Sequence, residues 1–216
     1  MNYPELKGLG LTAHSVFCVG RNYSEHAKEM GHNVSDEPII FLKPISALCD
    51  SGSIIELPAK SNEVHHEAEL VVAIGKSGKN IPENNASTYV AGFGIGIDFT
   101  ARDLQKVAKQ NGNPWSVAKG FDQFAPVSTF IPFTGGEIPD FDIRLEVNGE
   151  PRQSSNTKYM IFSIPALISY LSEIFTLQKG DLIFTGTPSG VSAIQSGDKI
   201  KATLDQDIAT VEVEIR

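Results

Sequence analysis

"VHHEAELVVAIG", residues 64–75, carries two patterns at once. In an extended chain, positions i and i+2 share a face. Val64, His66, Ala68, Leu70, Val72 and Ile74 then make one mostly apolar side, and His65, Glu67 and Glu69 share the other. The run reads as a strand with one face turned to a core. Two carboxylates side by side repel unless water, a proton or a cation attends them. The pattern is that of a solvated strand face or of a metal site, and both readings stand.

Runs of the same kind recur along the chain: "SVFCVG" (15–20), "IIFLKP" (39–44), "GFGIGIDF" (92–99), "DIRLEVNG" (142–149) and "DLIFTG" (181–186). Near the end, "DKIKATL" and "IATVEVEI" flank "DQD" and alternate apolar with polar, as a hairpin with one wet face does. Asn148-Gly149 reads as the tip of another hairpin. Helical patterns are fewer. "NYSEHAKEMG" (22–31) has Asn22 as a cap, Glu25 three residues on and Gly31 as a stop. "TARDLQKVAKQNG" (100–112) repeats that plan, with Thr100 as cap and Gly112 beyond the end. In "SIPALISYLSEIFTLQKG", Ser163 and a first-turn proline precede a stripe of Ile164, Leu167, Ile168, Leu171 and Ile174. Without strict βαβ alternation, these runs predict a mainly β architecture with some α, built on mixed sheets.

At 216 residues the chain fits one domain, residues 1–216, in which 1–50 is expected as a small N-terminal cap that includes the helix at 22–31. A 41% hydrophobic, 20% charged composition suits a globular core. The net charge of −8 has no Lys/Arg cluster to offset it, which argues against nucleic acid as a partner. "MNYPELKGLGLTAHS" lacks the basic start and apolar core of a secretion signal, and "IPALISYLSEIF" is interrupted by Ser169, Ser172 and Glu173, so no membrane span is expected. Cys18 and Cys49 have no CxxC pairing and read as free thiols of a reducing compartment. The expected location is cytoplasmic.

The chemistry concentrates in a few places. In "AGFGIGIDFTARDLQ" (91–105), Gly92, Gly94 and Gly96 strip one strand face of side chains and lead to Asp98. Such a face admits another backbone or a ligand, and either fits here. Position 97 is Ile, so the dinucleotide fingerprint is missing. Glu67, Glu69 and Asp98 would make an all-oxygen site for a hard cation, Mg²⁺ or Mn²⁺, with His65 as a further ligand or outer donor. His26 and Glu29, at i and i+3, form either a general base with its orienting carboxylate or a surface pair. Lys119, between an apolar stretch and a glycine, suits a developing oxyanion. Arg21, Lys43 and Arg102 are candidate anion contacts. "FTGTPSG" (184–190) offers hydroxyls and N–H groups to a carboxylate, or is a plain turn, and it is not a G-x-S-x-G elbow.

"CVGRNYSEHAKEMG", "FLKP", "HHEAELVVAIG", "GIDFTARDLQ", "AKGFD", "VNGEPRQ", "MIFSIPALISYLS" and "GDLIFTGTPSGV", in this order over nearly the whole chain, resemble the fumarylacetoacetate hydrolase family. The resemblance is to its small acylpyruvate hydrolase and oxaloacetate decarboxylase-like subgroup. It implies a mixed β-sandwich roll, a homodimer, and Mg²⁺ or Mn²⁺ held by Glu67, Glu69 and Asp98. It also implies a water-activating pair, His26 and Glu29, on a helical lid, Lys119 as the lysine following the metal aspartate, and Arg21, Gln105 and Thr187 lining the pocket with Arg102 beside them. The expected activity is metal-dependent hydrolysis of the C–C bond of 3-acylpyruvates, with decarboxylation of oxaloacetate as a companion reaction. Alternatives are an oxaloacetate keto–enol tautomerase, a 2-hydroxyhepta-2,4-diene-1,7-dioate isomerase/decarboxylase, and a non-catalytic 2-oxo acid binding protein.

Overall fold

The computed structural model of the chain describes residues 4–24 and 36–216. Its axis is the strand Ala68–Ile74, buried along all seven residues. Val90–Ile97 pairs with it antiparallel on one side and Leu182–Phe184 antiparallel on the other. Leu182–Phe184 lies parallel to Val16–Gly20, which pairs antiparallel with Ile39–Lys43. Beyond Val90–Ile97 come Ala125–Val127 and then Leu48–Asp50, the last pair parallel. These strands, with Ile131–Pro132 beside Val90–Ile97, form an eight-stranded mixed sheet. A five-stranded sheet stacks on it, in the order Glu150–Asn156, Asp142–Val147, Lys199–Leu204, Ala209–Ile215 and Ile54–Ile55.

The period-two patterns explain the stacking. Asp142–Val147 and Ala209–Ile215 bury alternate residues, as half-wet strands do. Their inward residues, among them Ile143, Leu145, Val211 and Val213, meet Leu70, Val72, Ile95 and Ile97 in one core cluster. The other face of the central strand, Val71 and Ala73, packs with Val16, Cys18, Leu182 and Phe184 in a second cluster. Covered on both sides, the central strand has no wet face. The fold is the mixed β-sandwich roll the sequence predicts, and Asn148 and Gly149, at φ 55° and 80°, make the expected hairpin tip.

Four local expectations are corrected. The strand over 64–74 is broken at Glu67, because Val64–His66 leaves the main sheet for a small one with Thr100–Ala101 and Ser192–Ala193. The helix after Asp98 spans Arg102–Gln110 and is preceded by Ala101, whereas Thr100 is a strand residue whose hydroxyl donates to the Asp98 carbonyl at 3.2 Å. The side chain of Asn22 is committed away from any cap: it donates to the Thr185 and Phe162 carbonyls and accepts from the Phe162 N–H. The described part of segment 1–50 is not set apart as a cap, since Val16–Gly20 and Ile39–Lys43 are threaded through the main sheet. The lid helix expected over 22–31 lies, from residue 25 on, outside the described residues. Ser163 does cap Ile164–Ile174, accepting from the Ala166 N–H at 3.3 Å. Cys18 and Cys49 are free thiols, and among the described residues no helix is long and apolar enough to cross a membrane.

Candidate active site

The last ladder pair between the two central strands is Ala68 with Ile97. Just beyond it both chains part, joined only by Asp98 N–H donating to the Glu67 carbonyl at 2.8 Å. Glu67 and Asp98 hang from the two frayed ends, and Glu69 sits one pair inside, opposite Gly96. The three carboxylates converge, with one oxygen of each lying within 4.8 Å of the others. Their residues are 6%, 1% and 0% exposed for Glu67, Glu69 and Asp98, which removes the solvated-face alternative. The glycine face is filled by protein: a Cβ on Gly96 would stand 2.7 Å from the Phe184 ring and 2.8 Å from Val71, and one on Gly92 would strike the Ile131 carbonyl. The stripe of glycines is sheet packing, not a ligand cradle.

Buried acids need counter-charge. Lys119 Nζ donates to Glu67 Oε2 at 2.8 Å and to Asp98 Oδ2, and Arg102 pairs with Glu67 Oε1. Lys43 Nζ lies 2.7 Å from Asp98 Oδ1. Its three N–H groups are spent, however, on the carbonyls of Phe99, Lys119 and Phe124, so Asp98 Oδ1 receives charge but no hydrogen bond. Glu69 Oε2 accepts from the Gly186 N–H at 2.7 Å. Burial, then Asp98 and Glu67, push the Glu69 carboxyl well above its usual range. Burial works against charge on Lys119, but Asp98 and Glu67 outweigh it and hold the ammonium above the ordinary lysine value.

An all-carboxylate set, one oxygen of which is buried without a hydrogen bond and one acid of which is strained toward protonation, fits a hard divalent cation. The residues at hand to hold it are Glu67, Glu69 and Asp98.

These groups open into a small cleft, also lined by Arg21, Arg102, Gln105, Lys109, Trp115 and Thr187. Arg102 Nη1 donates to Gln105 Oε1 at 2.7 Å, which fixes both side chains on the wall. Arg21 takes φ 60°, in the left-handed region that few side-chain-bearing residues adopt. The Thr187 hydroxyl donates to the Ala68 carbonyl and accepts from Gln153, so it ties its loop to the central strand.

His65 is not with the acids. It meets Glu63 at 2.7 Å and accepts from Arg102 Nε at 3.4 Å, and burial followed by Arg102 lowers its pKa. Lys43 is 3% exposed and lies beneath the cleft, which rules it out as an anion contact. It is a positioning residue for Asp98 and Lys119. His26 and Glu29 lie outside the described residues. Lys109 and Trp115 went unread in the sequence, although Lys109 follows Arg102 by seven positions and therefore shares its helix face.

Fold and cleft together define a β-sandwich roll with a buried acidic centre at the frayed end of its two central strands. The chain belongs to the fumarylacetoacetate hydrolase family, whose profile, described as fumarylacetoacetate (FAA) hydrolase C-terminal, matches residues 15–216. It is 50% identical over 194 residues to the mitochondrial oxaloacetate tautomerase of Mus musculus, covering 88% of this chain and 87% of that one. It is 45% identical over 201 residues to the oxaloacetate tautomerase of Escherichia coli, covering 92% and 91%. Among solved structures, the fumarylpyruvate hydrolase of Pseudomonas aeruginosa in complex with Mn²⁺ and pyruvate superposes with a TM-score of 0.94 at 36% identity, covering 100% of this chain and 96% of that one. These relatives are enzymes named for reactions of small carboxylates.

Proposed function

We propose that this chain is an oxaloacetate keto–enol tautomerase that works with Mg²⁺ or Mn²⁺ held by Glu67, Glu69 and Asp98. One observation carries the reading: three buried carboxylates share a cleft with cationic and amide side chains suited to a 2-oxo acid. The likeness to two proteins named oxaloacetate tautomerase, at 45–50% identity, favours this reaction over the others of the family.

When bound, the cation supplies Lewis acidity that makes the C3 protons of a chelated 2-oxo acid easier to remove. The side chains do the rest. Arg102 and Gln105, fixed to each other, orient the substrate from one wall. Lys119, kept charged by its acid neighbours, offsets the negative charge that grows on oxygen as the enol forms. His26 and Glu29 are proposed as the acid–base pair that moves the proton at C3. Residues 1–216 would work as one catalytic domain, as a homodimer, in the cytosol.

A second reading, hydrolysis of 3-acylpyruvates by water activated at His26, is favoured by the likeness to the fumarylpyruvate hydrolase. One experiment separates the two. Oxaloacetate and acetylpyruvate are incubated separately with enzyme and Mg²⁺, the enol absorbance is followed, and pyruvate is assayed. The tautomerase reading expects accelerated enol–keto exchange of oxaloacetate with little pyruvate from either substrate. Rapid pyruvate release from acetylpyruvate transfers the assignment to the hydrolase, and release from oxaloacetate to a decarboxylase. Inactivity on both, with 2-oxo acids still bound, leaves a binding protein.

A further inference from the structure

The helix Arg102–Gln110 turns one face to the cleft, and that face carries Arg102, Gln105 and Lys109 at i, i+3 and i+7. Arg102 and Gln105 are engaged with each other, and Arg102 with Glu67. Lys109 is different. Its ammonium rests over the indole of Trp115, 5.2 Å from the ring centroid, and among the described residues no carboxylate forms an ion pair with it. Arg21, on the same cleft wall, likewise has no acid partner among the described residues.

The centre itself is balanced, with Glu67, Glu69 and Asp98 facing Lys43, Lys119 and Arg102. Among the described residues, then, neither Lys109 nor Arg21 has an ion-pair partner, although the charge of Glu67 acts on Lys109 without forming one. Burial, then Arg21 and Arg102, lower the Lys109 pKa to about 8. A half-buried ammonium crowded by two guanidinium groups is poorly accommodated by its own surroundings. An anion entering the cleft relieves that crowding, and Lys109 stands about 10 Å further along the helix axis than Arg102, at 1.5 Å per residue. Two helical turns apart on the same cleft wall, the two cations can meet opposite ends of one ligand.

We propose that Lys109, braced on Trp115, binds the distal carboxylate of a 2-oxo dicarboxylate and makes the site prefer dicarboxylates to substrates ending in a neutral group. This rests on reading the cleft as a 2-oxo acid site. It adds a specificity-determining residue to that reading and the chemical class of what it selects.

The test uses the full chain with Mg²⁺, Lys109→Gln and Lys109→Arg. Oxaloacetate presents a distal carboxylate, and acetylpyruvate presents an acetyl group in its place. Lys109→Gln is expected to raise KM for oxaloacetate about tenfold or more, as loss of a charge-assisted bond does. Its kcat for oxaloacetate, and the inhibition constant of acetylpyruvate competing with oxaloacetate, should change by less than about threefold, with Lys109→Arg restoring the oxaloacetate KM. Equal changes for both substrates, or none, overturn the proposal. A second arm needs no turnover. Trp115 is the only tryptophan, so its fluorescence reports binding at this wall. Wild-type protein with Mg²⁺ should bind 2-oxoglutarate at least about tenfold more tightly than 2-oxopentanoate, and Lys109→Gln should erase the difference. If wild type discriminates in this arm while turning over neither substrate, the proposed reaction fails and the role of Lys109 stands. Equal binding of the two acids by wild type sinks the role of Lys109.

Discussion

Lys43 has no room for ambiguity in its contacts: three carbonyls from three parts of the chain use its three N–H groups, and its charge alone reaches Asp98. Replacing it with Met would leave Asp98 Oδ1 without a facing cation and take the Lys43 donor from the Phe99 and Lys119 carbonyls, while the Phe124 carbonyl would keep the Phe99 N–H. Lys43→Met should therefore cost about 3–5 kcal/mol of stability, read from the urea midpoint. Lys43→Arg should not rescue it, because a planar fork cannot meet three converging carbonyls. A midpoint within about 1 kcal/mol of wild type would show that Lys43 is dispensable to the fold. This role was not legible in the sequence. The carbonyls belong to Phe99, Lys119 and Phe124, which are 56 to 81 residues away. Only the fold brings them together. Lys119 was easier to single out, since a lysine between an apolar stretch and a glycine is already out of place.

At the level of elements, the glycine strand explains how two deeply buried strands end in acids. Glu69 faces Gly96 across the ladder, and the missing side chain there leaves space bounded by Phe184 and Val71. Gly96→Ala forces that pocket apart and should destabilise by about 1–3 kcal/mol, seen as a lowered urea midpoint. Because the intruding methyl stands opposite Glu69, Mg²⁺ affinity by calorimetry should fall with it. An unchanged midpoint would mean that the strand can shift freely.

The strands themselves were readable from their alternation, and the helix Ile164–Ile174 from its cap and proline. The break at Glu67 was not, because the apolar period runs straight through it and only tertiary pairing ends the strand there. Similarly, the i, i+3, i+7 face of Arg102, Gln105 and Lys109 is present in the sequence, but nothing local says which helix face meets the cleft.

Over the whole molecule, the acidic centre sits where the main sheet, the small three-stranded sheet and the helix Arg102–Gln110 come together. A cation bound only by the folded chain stabilises all of it by mass action, about 2.7 kcal/mol at a hundredfold excess over its dissociation constant. Millimolar Mg²⁺ should raise Tm by several degrees, and EDTA should reverse the rise. In Glu69→Gln the shift should vanish, although the metal-free variant loses one of three mutually repelling acids and should unfold no earlier than metal-free wild type. A Tm indifferent to Mg²⁺ and EDTA would remove the cation from the proposed chemistry. The acid triad was visible in the sequence as one of two readings of a strand. What decided between them was the main sheet itself, whose Val16, Cys18, Leu182 and Phe184 pack over the side, shared with Val71 and Ala73, that would otherwise be wet.

The frayed end of the central ladder has a consequence for how such a protein diversifies. The acids are fixed to the most deeply embedded strands, while Arg21, Gln105, Lys109 and Trp115 ride on connecting segments and a short helix at the rim. Reactivity and choosiness are thus mounted on separate supports. Exchanging the rim between paralogues can retarget the molecule toward longer or less charged compounds without disturbing the anvil on which the bond changes are made.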